Sequence, residues 1–353
     1  MNIAFVNFHT LIFDTDTPYQ KPLGGSESAM CYLAEHLAKL GHKVFLLSRL
    51  SQRTLKRGVI CLPFGKVPNN ILASLDVLVV QNTPLEGFKI KPFLNPKTKL
   101  ILWTQHDSNQ PAVTPLRNPQ NQQIFDAFVL ISQWQLDTYI STFGLDKNKC
   151  VILKNAIAPA FENLMEQKKT LPILAYTSTP FRGLDLLIRI FPAIQQAVPN
   201  ISLRVYSDMK VYQVSSELDQ KQYGDLYRLC RKTDGIEYIG SISQPKLAKE
   251  LQKISVLAYP NTFAETSCIA VMEAMATGCQ IITSNLGALP ETTARFAKLI
   301  PMNSNYSQNF VDATVAALKH PTDKSKQIAF VKNNYTWTNR ALEWDKFLTK
   351  MII

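Results

Sequence analysis

Two glutamates eight residues apart, Glu265 and Glu273, stand in the segment Phe-Ala-Glu-Thr-Ser-Cys-Ile-Ala-Val-Met-Glu that begins at Phe263. An apolar run, Ser255 to Tyr259, precedes them and reads as a strand; helix formers follow from Ser267 to Ala276. That order puts Glu265 on a loop and Glu273 two turns into a helix. At about 100° per residue, eight steps leave the two carboxylates about 80° apart round the axis, framing the free N–H groups of the helix start. Such a start, with its dipole, seats a phosphate, and a carboxylate on either side accepts hydrogen bonds from sugar hydroxyls. The chemistry that suits this arrangement is recognition of a sugar–diphosphate–nucleoside. A glutamate on a surface helix is ordinarily just solvated. Here Lys, Arg and Asp are absent from Phe263 to Thr283, and a charge amid such apolar sequence is costly to bury without a partner.

Three further positions have types that could serve the same ligand. Gly24-Gly25-Ser26-Glu27 lies between the first strand and first helix, where two glycines let the backbone approach a bulky anion. It lacks the Gly-x-Gly-x-x-Gly spacing of a dinucleotide site, and alone it is ordinary chain punctuation. Arg182, in Ser178-Thr-Pro-Phe-Arg-Gly-Leu-Asp185, is a fixed positive charge before another helix and suits a diphosphate. His106 follows the buried run ending Trp103-Thr-Gln, so it emerges at a strand's carboxyl end, where open α/β sheets bind ligands. Taken singly, the arginine reads as surface and the histidine as structural.

Strand and helix patterns alternate along the chain, which predicts parallel sheets covered on both faces. Strands are expected at Ile3–Phe8, Lys43–Ser48, Val77–Val80, Leu100–Thr104, Ala127–Ile131 and Val151–Leu153, then at Ile173–Tyr176, Ser202–Tyr206, Ile236–Ile239, Val256–Tyr259, Gln280–Thr283 and Lys298–Ile300. Helices are expected at Glu27–Leu40, Gln133–Thr142 behind a Ser132 cap, Leu184–Ala197 bent by Pro192, Tyr223–Arg231 and Pro245–Ile254, with three more in the tail. The fold class is therefore α/β, with two doubly wound, Rossmann-like domains facing a central cleft. Residues 1–165 form the first and 166–335 the second, after a polar stretch at 158–172. The final segment, 336–353, is a helix expected to pack back on the first domain.

The 353 residues carry 38 Lys and Arg against 27 Asp and Glu, a net charge of +11 shared between the halves. This favours anionic ligands or an anionic membrane surface. No nucleic-acid module or basic–aromatic interleaving accompanies it, so nucleic acid is not an expected partner. No apolar run approaches the roughly 20 residues of a membrane span, and the amino-terminal run Met-Asn-Ile-Ala-Phe-Val reads as a strand rather than a signal peptide. The six cysteines are scattered and read as reduced core residues. A cytoplasmic protein is expected, with peripheral contact at the inner membrane face left open.

Together these segments resemble the retaining glycosyltransferases of family 4, which have the two-domain GT-B fold. The likeness runs through the chain in order: the glycine turn, His106-Asp107, "VILKNAIAPAF", "RGLDLLI", "IEYIGSISQPKLAKEL", the Glu-x7-Glu block with "EAMATG", "TSNLGALPE" and "YTWTNRALEWDKFL". The Glu-x7-Glu block and the later Gly-x-x-Pro-Glu are its specific part. The resemblance implies transfer of a sugar from a nucleotide-sugar donor to a hydroxyl of a glycan or lipid-linked acceptor, with retention and no divalent metal or other cofactor. It implies that Glu265 holds donor-sugar hydroxyls, Glu273 ribose hydroxyls, and N–H groups around Ser267, Cys268 and Ile269 the distal phosphate. Arg182 would stabilise the departing diphosphate, Gly24 and Gly25 would approach it, His106 would lie at the reacting centre, and Ile239 and Gly240 would line the base pocket. Three positions depart from the pattern. Thr177 stands where the family has an Arg, Ser267-Cys268-Ile269 replaces Phe-Gly-Leu, and Ser207-Asp208 replaces a glycine-rich turn. A same-fold epimerase or hydrolase, or a non-catalytic nucleotide-sugar-binding protein, is the alternative.

Overall fold

The structure, a computed structural model, describes residues 1–164 and 172–352. It divides into two compact units: Met1–Pro18, Gly25–Ala156 and Trp337–Ile353 make the first, Tyr19–Gly24 and Ile157–Thr336 the second. The boundary expected between residues 165 and 166 lies outside the described residues.

The first unit is built on eight strands: β1 (Asn2–Val6), β2 (Lys43–Ser48), β3 (Thr54–Lys56), β4 (Val59–Pro63), β5 (Val77–Gln81), β6 (Lys99–Trp103), β7 (Ala127–Leu130) and β8 (Cys150–Ile152). Their order is β3-β4-β2-β1-β5-β6-β7-β8. All neighbours run parallel except the β3–β4 pair. Central strands such as β5 (Val-Leu-Val-Val-Gln) are buried along their whole length, the mark of a sheet covered on both faces. The hairpin of β3 and β4 is absent from the strands expected from sequence. It turns at Arg57 (φ 52°) and Gly58 (φ 78°), and its short first strand is mostly exposed, so no apolar alternation announces it.

Helix Gln133–Phe143 starts at Ser132, whose hydroxyl accepts the Gln135 N–H at 3.0 Å, and ends on left-handed Gly144. Helix Trp337–Ile352, although last in sequence, is part of the first unit. Its Trp344 meets Phe5 of β1 and Trp103 of β6 edge-on, at 6.2 and 5.2 Å between ring centroids. Trp337 lies 6.1 Å from Tyr32, and Asp345 pairs with His42 Nε2 at 2.9 Å. Three buried aromatic contacts hold it, well beyond what helix propensity supplies.

The second unit has a six-stranded parallel sheet: β9 (Ile173–Tyr176), β10 (Ser202–Val205), β11 (Ile236–Tyr238), β12 (Val256–Tyr259), β13 (Gln280–Ser284) and β14 (Ala297–Ile300). Their order is β11-β10-β9-β12-β13-β14. Helix Leu184–Ala197 runs through Pro192 unbroken. Helix Ser216–Lys232 begins seven residues before its expected start, because Ser215 caps it by accepting the Leu218 N–H at 3.3 Å.

Each sheet winds outward in both directions from a central pair, β1 and β5 in one and β9 and β12 in the other. The crevice beyond the carboxyl ends of such a pair is where doubly wound sheets hold ligands.

Candidate functional site

In the second unit, the turns after β9 and β12 meet at this switch point. The chain leaves β9 through Thr177 to Thr179, makes one 3-10 turn at Pro180–Arg182, and enters helix Leu184–Ala197 at left-handed Gly183 (φ 112°). A Cβ on Gly183 would lie 2.1 Å from the Pro260 carbonyl oxygen, so only glycine lets the two turns close together. That contact delivers Arg182 to Glu265. The arginine Nη1 donates to Oε1 at 2.7 Å and Oε2 at 2.9 Å. Its guanidinium also lies 4.6 Å over the Phe263 ring.

Glu265 is held from every side. The Tyr259 hydroxyl donates to Oε1 at 2.6 Å. The Glu265 backbone oxygen accepts the Ala288 N–H at 2.7 Å, and a Cβ on Gly287 (φ 61°) would sit 2.5 Å from that same oxygen. Burial is the largest influence on Arg182 and opposes its charge, but the Glu265 carboxylate together with Tyr212, Tyr259 and Cys268 outweighs it and keeps the guanidinium above its ordinary pKa. Burial first, and then the same carboxylate, raises the Tyr259 phenol and the Cys268 thiol well above their usual ranges. Cys268 is thus a neutral thiol rather than a nucleophile.

Helix Ile269–Ala276 starts two residues later than the sequence predicts, since Cys268 is extended (φ −122°, ψ 92°) and takes the N-cap position. Glu273 therefore lies about one turn in, not two. Among the described residues no side-chain hydrogen bond caps this helix, and apart from the Val271 N–H, which meets the Cys268 thiol, its first N–H groups are left for another acceptor. Several buried polar atoms on the turns after β9 and β12 also lack a partner among the described residues: Arg182 Nε, Thr177 Oγ1 and Ser267 Oγ. Buried polar atoms are normally paired. Orphans on two adjoining turns mark a place shaped for a polar ligand. Glu273, fully buried, accepts the Ala158 N–H at 3.2 Å and has the Gln244 side chain beside it. Burial dominates and lifts its carboxyl to about 8.

Ile239 and Gly240 follow β11, two strands from β9. Gly240 (φ 80°) faces Asp208, whose Oδ2 would lie 2.9 Å from a Cβ there. Asp208 accepts the N–H groups of Lys210 (2.9 Å) and Ser241 (3.0 Å), and its carboxylate also takes the Ser241 hydroxyl. In place of a glycine-rich turn, this chain ties the loops after β10 and β11 together through one carboxylate.

In the first unit, Gly25 begins helix Gly25–Lys39 and His106 follows β6. Gly24 groups with the second unit. Neither glycine has positive φ, so any need for glycine there is one of space. The His106 carbonyl accepts Gln135 Nε2 (2.8 Å) and the Tyr139 hydroxyl (2.9 Å), and its ring lies 6.2 Å from that of His9. Around the β1–β5 switch point sits a buried polar cluster that the sequence did not announce. Asn7 Nδ2 donates to Gln81 Oε1 (2.9 Å) and Glu27 Oε1 (3.2 Å), while Gln81 Nε2 donates to the Ser26 carbonyl (2.7 Å). Burial raises the Glu27 carboxyl. Missed in the second unit are Tyr259, Phe263 and the tie that Asp208 makes to Ser241. Tyr259 had a signal: a phenol ending an apolar strand six residues before the first glutamate.

A family model described as "Glycosyl transferases group 1" matches residues 171–320, less than half the chain. A phosphatidyl-myo-inositol mannosyltransferase of Mycobacterium tuberculosis is 22% identical over 204 residues, covering 57% of this chain and 51% of that protein. The chain thus spans about half the length of such curated relatives, although the alignment to the Mycolicibacterium smegmatis protein of the same name covers 79% and 78% at 20% identity. Among solved structures, sucrose-phosphate synthase from Thermosynechococcus elongatus superposes with a TM-score of 0.71 at 15% identity, covering 99% and 98% of the two chains. Anabaena HepE in complex with UDP-glucose gives 0.70 at 14%, covering 99% and 100%. These likenesses define the fold as two Rossmann-like α/β units of the GT-B class.

Proposed function

We propose that this chain is a retaining glycosyltransferase that moves a hexosyl group from a nucleotide-sugar donor to a hydroxyl of a glycan or lipid-linked acceptor. One observation carries the reading. Arg182 and Glu265 are paired at the β9–β12 switch point, beside a helix start that no side-chain hydrogen bond caps among the described residues. The matched family model and the mannosyltransferase relatives support sugar transfer, and HepE was solved with UDP-glucose.

In this reading the diphosphate sits on the N–H groups around Ser267, Cys268 and Ile269, with Arg182 beside it and Gly24 and Gly25 approaching. Glu265 accepts donor-sugar hydroxyls, Glu273 meets the ribose, and Ile239 and Gly240 flank the base. As the glycosidic bond breaks, charge grows on the leaving diphosphate, and Arg182 with the helix dipole stabilises it. The same diphosphate takes the acceptor proton on the departing face, giving retention without a covalent enzyme intermediate. The resemblance assigns His106 to the reacting centre. No metal or cofactor is required in this scheme. A cytoplasmic site of action goes with the six free cysteines, and no helix among the described residues is long and apolar enough to cross a membrane.

The test is release of nucleoside diphosphate across a donor panel, with Glu265→Ala as control; an unchanged rate in that variant rejects the assignment. Thr177 favours a second reading, since its buried hydroxyl has no partner among the described residues where the resembled family has an arginine. Rapid donor breakdown without acceptor would indicate an epimerase or hydrolase. Tight nucleotide binding without turnover would indicate a binding protein.

A further inference from the structure

We infer that the outer face of the segment Leu85–Lys97 in the first unit docks on an anionic lipid bilayer. Three of the chain's exposed large apolar side chains fall within nine residues here: Leu85 (43% exposed), Phe88 (48%) and Phe93 (70%). Soluble proteins scatter such residues singly, and a cluster marks an interaction surface. The segment is a short helix, Pro84–Ile90, followed by a 3-10 turn, Lys91–Phe93.

Its inner face is seated. A Cβ on Gly87 would lie 2.6 Å from the Phe125 ring, so the helix presses directly on the core, while Leu94 behind it is buried. Pro84, Pro92 and Pro96 fix the backbone on either side. Phe88 and Phe93 thus project from a stiff frame, and their exposure is built in.

The charge around them selects the occupant. Lys89 and Lys97 are exposed among the aromatics, and Lys91 and Lys99 flank them. The acids nearby are Glu86, paired with Lys89 at 2.7 Å, and Asp126, shared by Lys91 and Lys99 at 3.9 Å. Four cations against two anions leave a positive surface, in a chain that carries +11 overall. Aromatic rings that enter the acyl boundary beside lysines that meet phosphate headgroups are the composition of a membrane-surface element. A second copy of this chain would present the same positive charge to itself.

Docking does not rest on the transfer reading, because vesicle binding is measured without any sugar nucleotide. The full chain is sedimented with vesicles of phosphatidylcholine alone and of phosphatidylcholine with phosphatidylglycerol. Binding is expected only to the anionic vesicles and should weaken with salt. Neutralising two lysines in Lys89→Gln/Lys97→Gln should lower partitioning by on the order of 10-fold. Phe88→Ser/Phe93→Ser should abolish binding, while both variants keep the parent's melting temperature and donor turnover in solution. Equal binding by parent and variants overturns the proposal, as does binding to neither vesicle. A fall in sedimentation coefficient of the free protein on Phe88→Ser/Phe93→Ser would also overturn it, by assigning the face to a second copy.

Discussion

Arg182 Nη1 reaches both carboxylate oxygens of Glu265, at 2.7 and 2.9 Å, across 83 residues of sequence. The pair joins the turn after β9 to the turn after β12, so the charge assigned to the diphosphate and the acid assigned to the sugar form one unit. Arg182→Ala should therefore cost on the order of 10²–10³-fold in turnover. It should also strand a buried carboxylate and lower the melting temperature. A double-mutant cycle with Glu265→Gln measures the coupling, and strictly additive losses would contradict it.

Tyr259 donates to Glu265 at 2.6 Å and also lies 3.3 Å from the Ser178 hydroxyl. Tyr259→Phe should lower kcat by about tenfold through loss of carboxylate orientation, with nucleoside diphosphate affinity unchanged. Steady-state kinetics and calorimetry separate the two. An affinity loss equal to the kcat loss would place the phenol in direct contact with ligand.

Glu273 gives a pH signature. Its folded pKa, about 8, lies above the ordinary carboxylate value of 4.5. The native state therefore holds a proton that the unfolded chain releases. The stabilisation is full below about pH 4.5 and is lost as pH rises through about 8. Glu273→Gln mimics the protonated acid and should flatten that decline, which amounts to a few kcal/mol. Denaturant melts of parent and variant at pH 5 to 9 give the comparison. Parallel curves would show that Glu273 is not the group responsible.

Gly287 packs its backbone against that of Glu265 and has φ 61°. Gly287→Ala should cost at least about 1 kcal/mol in backbone strain alone. It should also reduce turnover, because the collision displaces the loop that carries Glu265. A variant with lower stability but full activity would show that the loop's position is not critical.

Much of this was legible in the chain because buried parallel strands are unbroken apolar runs that turn residues punctuate. β5 and β12 read plainly for that reason, as did the Ser132 cap. The β3–β4 hairpin did not, since Thr54–Lys56 is largely exposed and carries no pattern. The Glu265–Glu273 spacing pointed to a helix start, but the start itself shifted to Ile269. A cysteine at the N-cap gives no sequence signal of the kind Ser or Asp provides. The tie that Asp208 makes to Ser241, and the Asn7–Gln81–Glu27 cluster, were invisible for a different reason. Their partners lie 20 to 74 residues away on a strand, a helix and a loop, and only the fold brings them together.

The central claim is that a sugar nucleotide's diphosphate binds at the start of helix Ile269–Ala276 beside Arg182. A crystal structure with a sugar nucleotide tests it most directly. The account predicts a phosphate oxygen within hydrogen-bond distance of the N–H of Cys268 or Ile269 and of the Arg182 guanidinium. A ligand whose phosphates lie on neither group would contradict it.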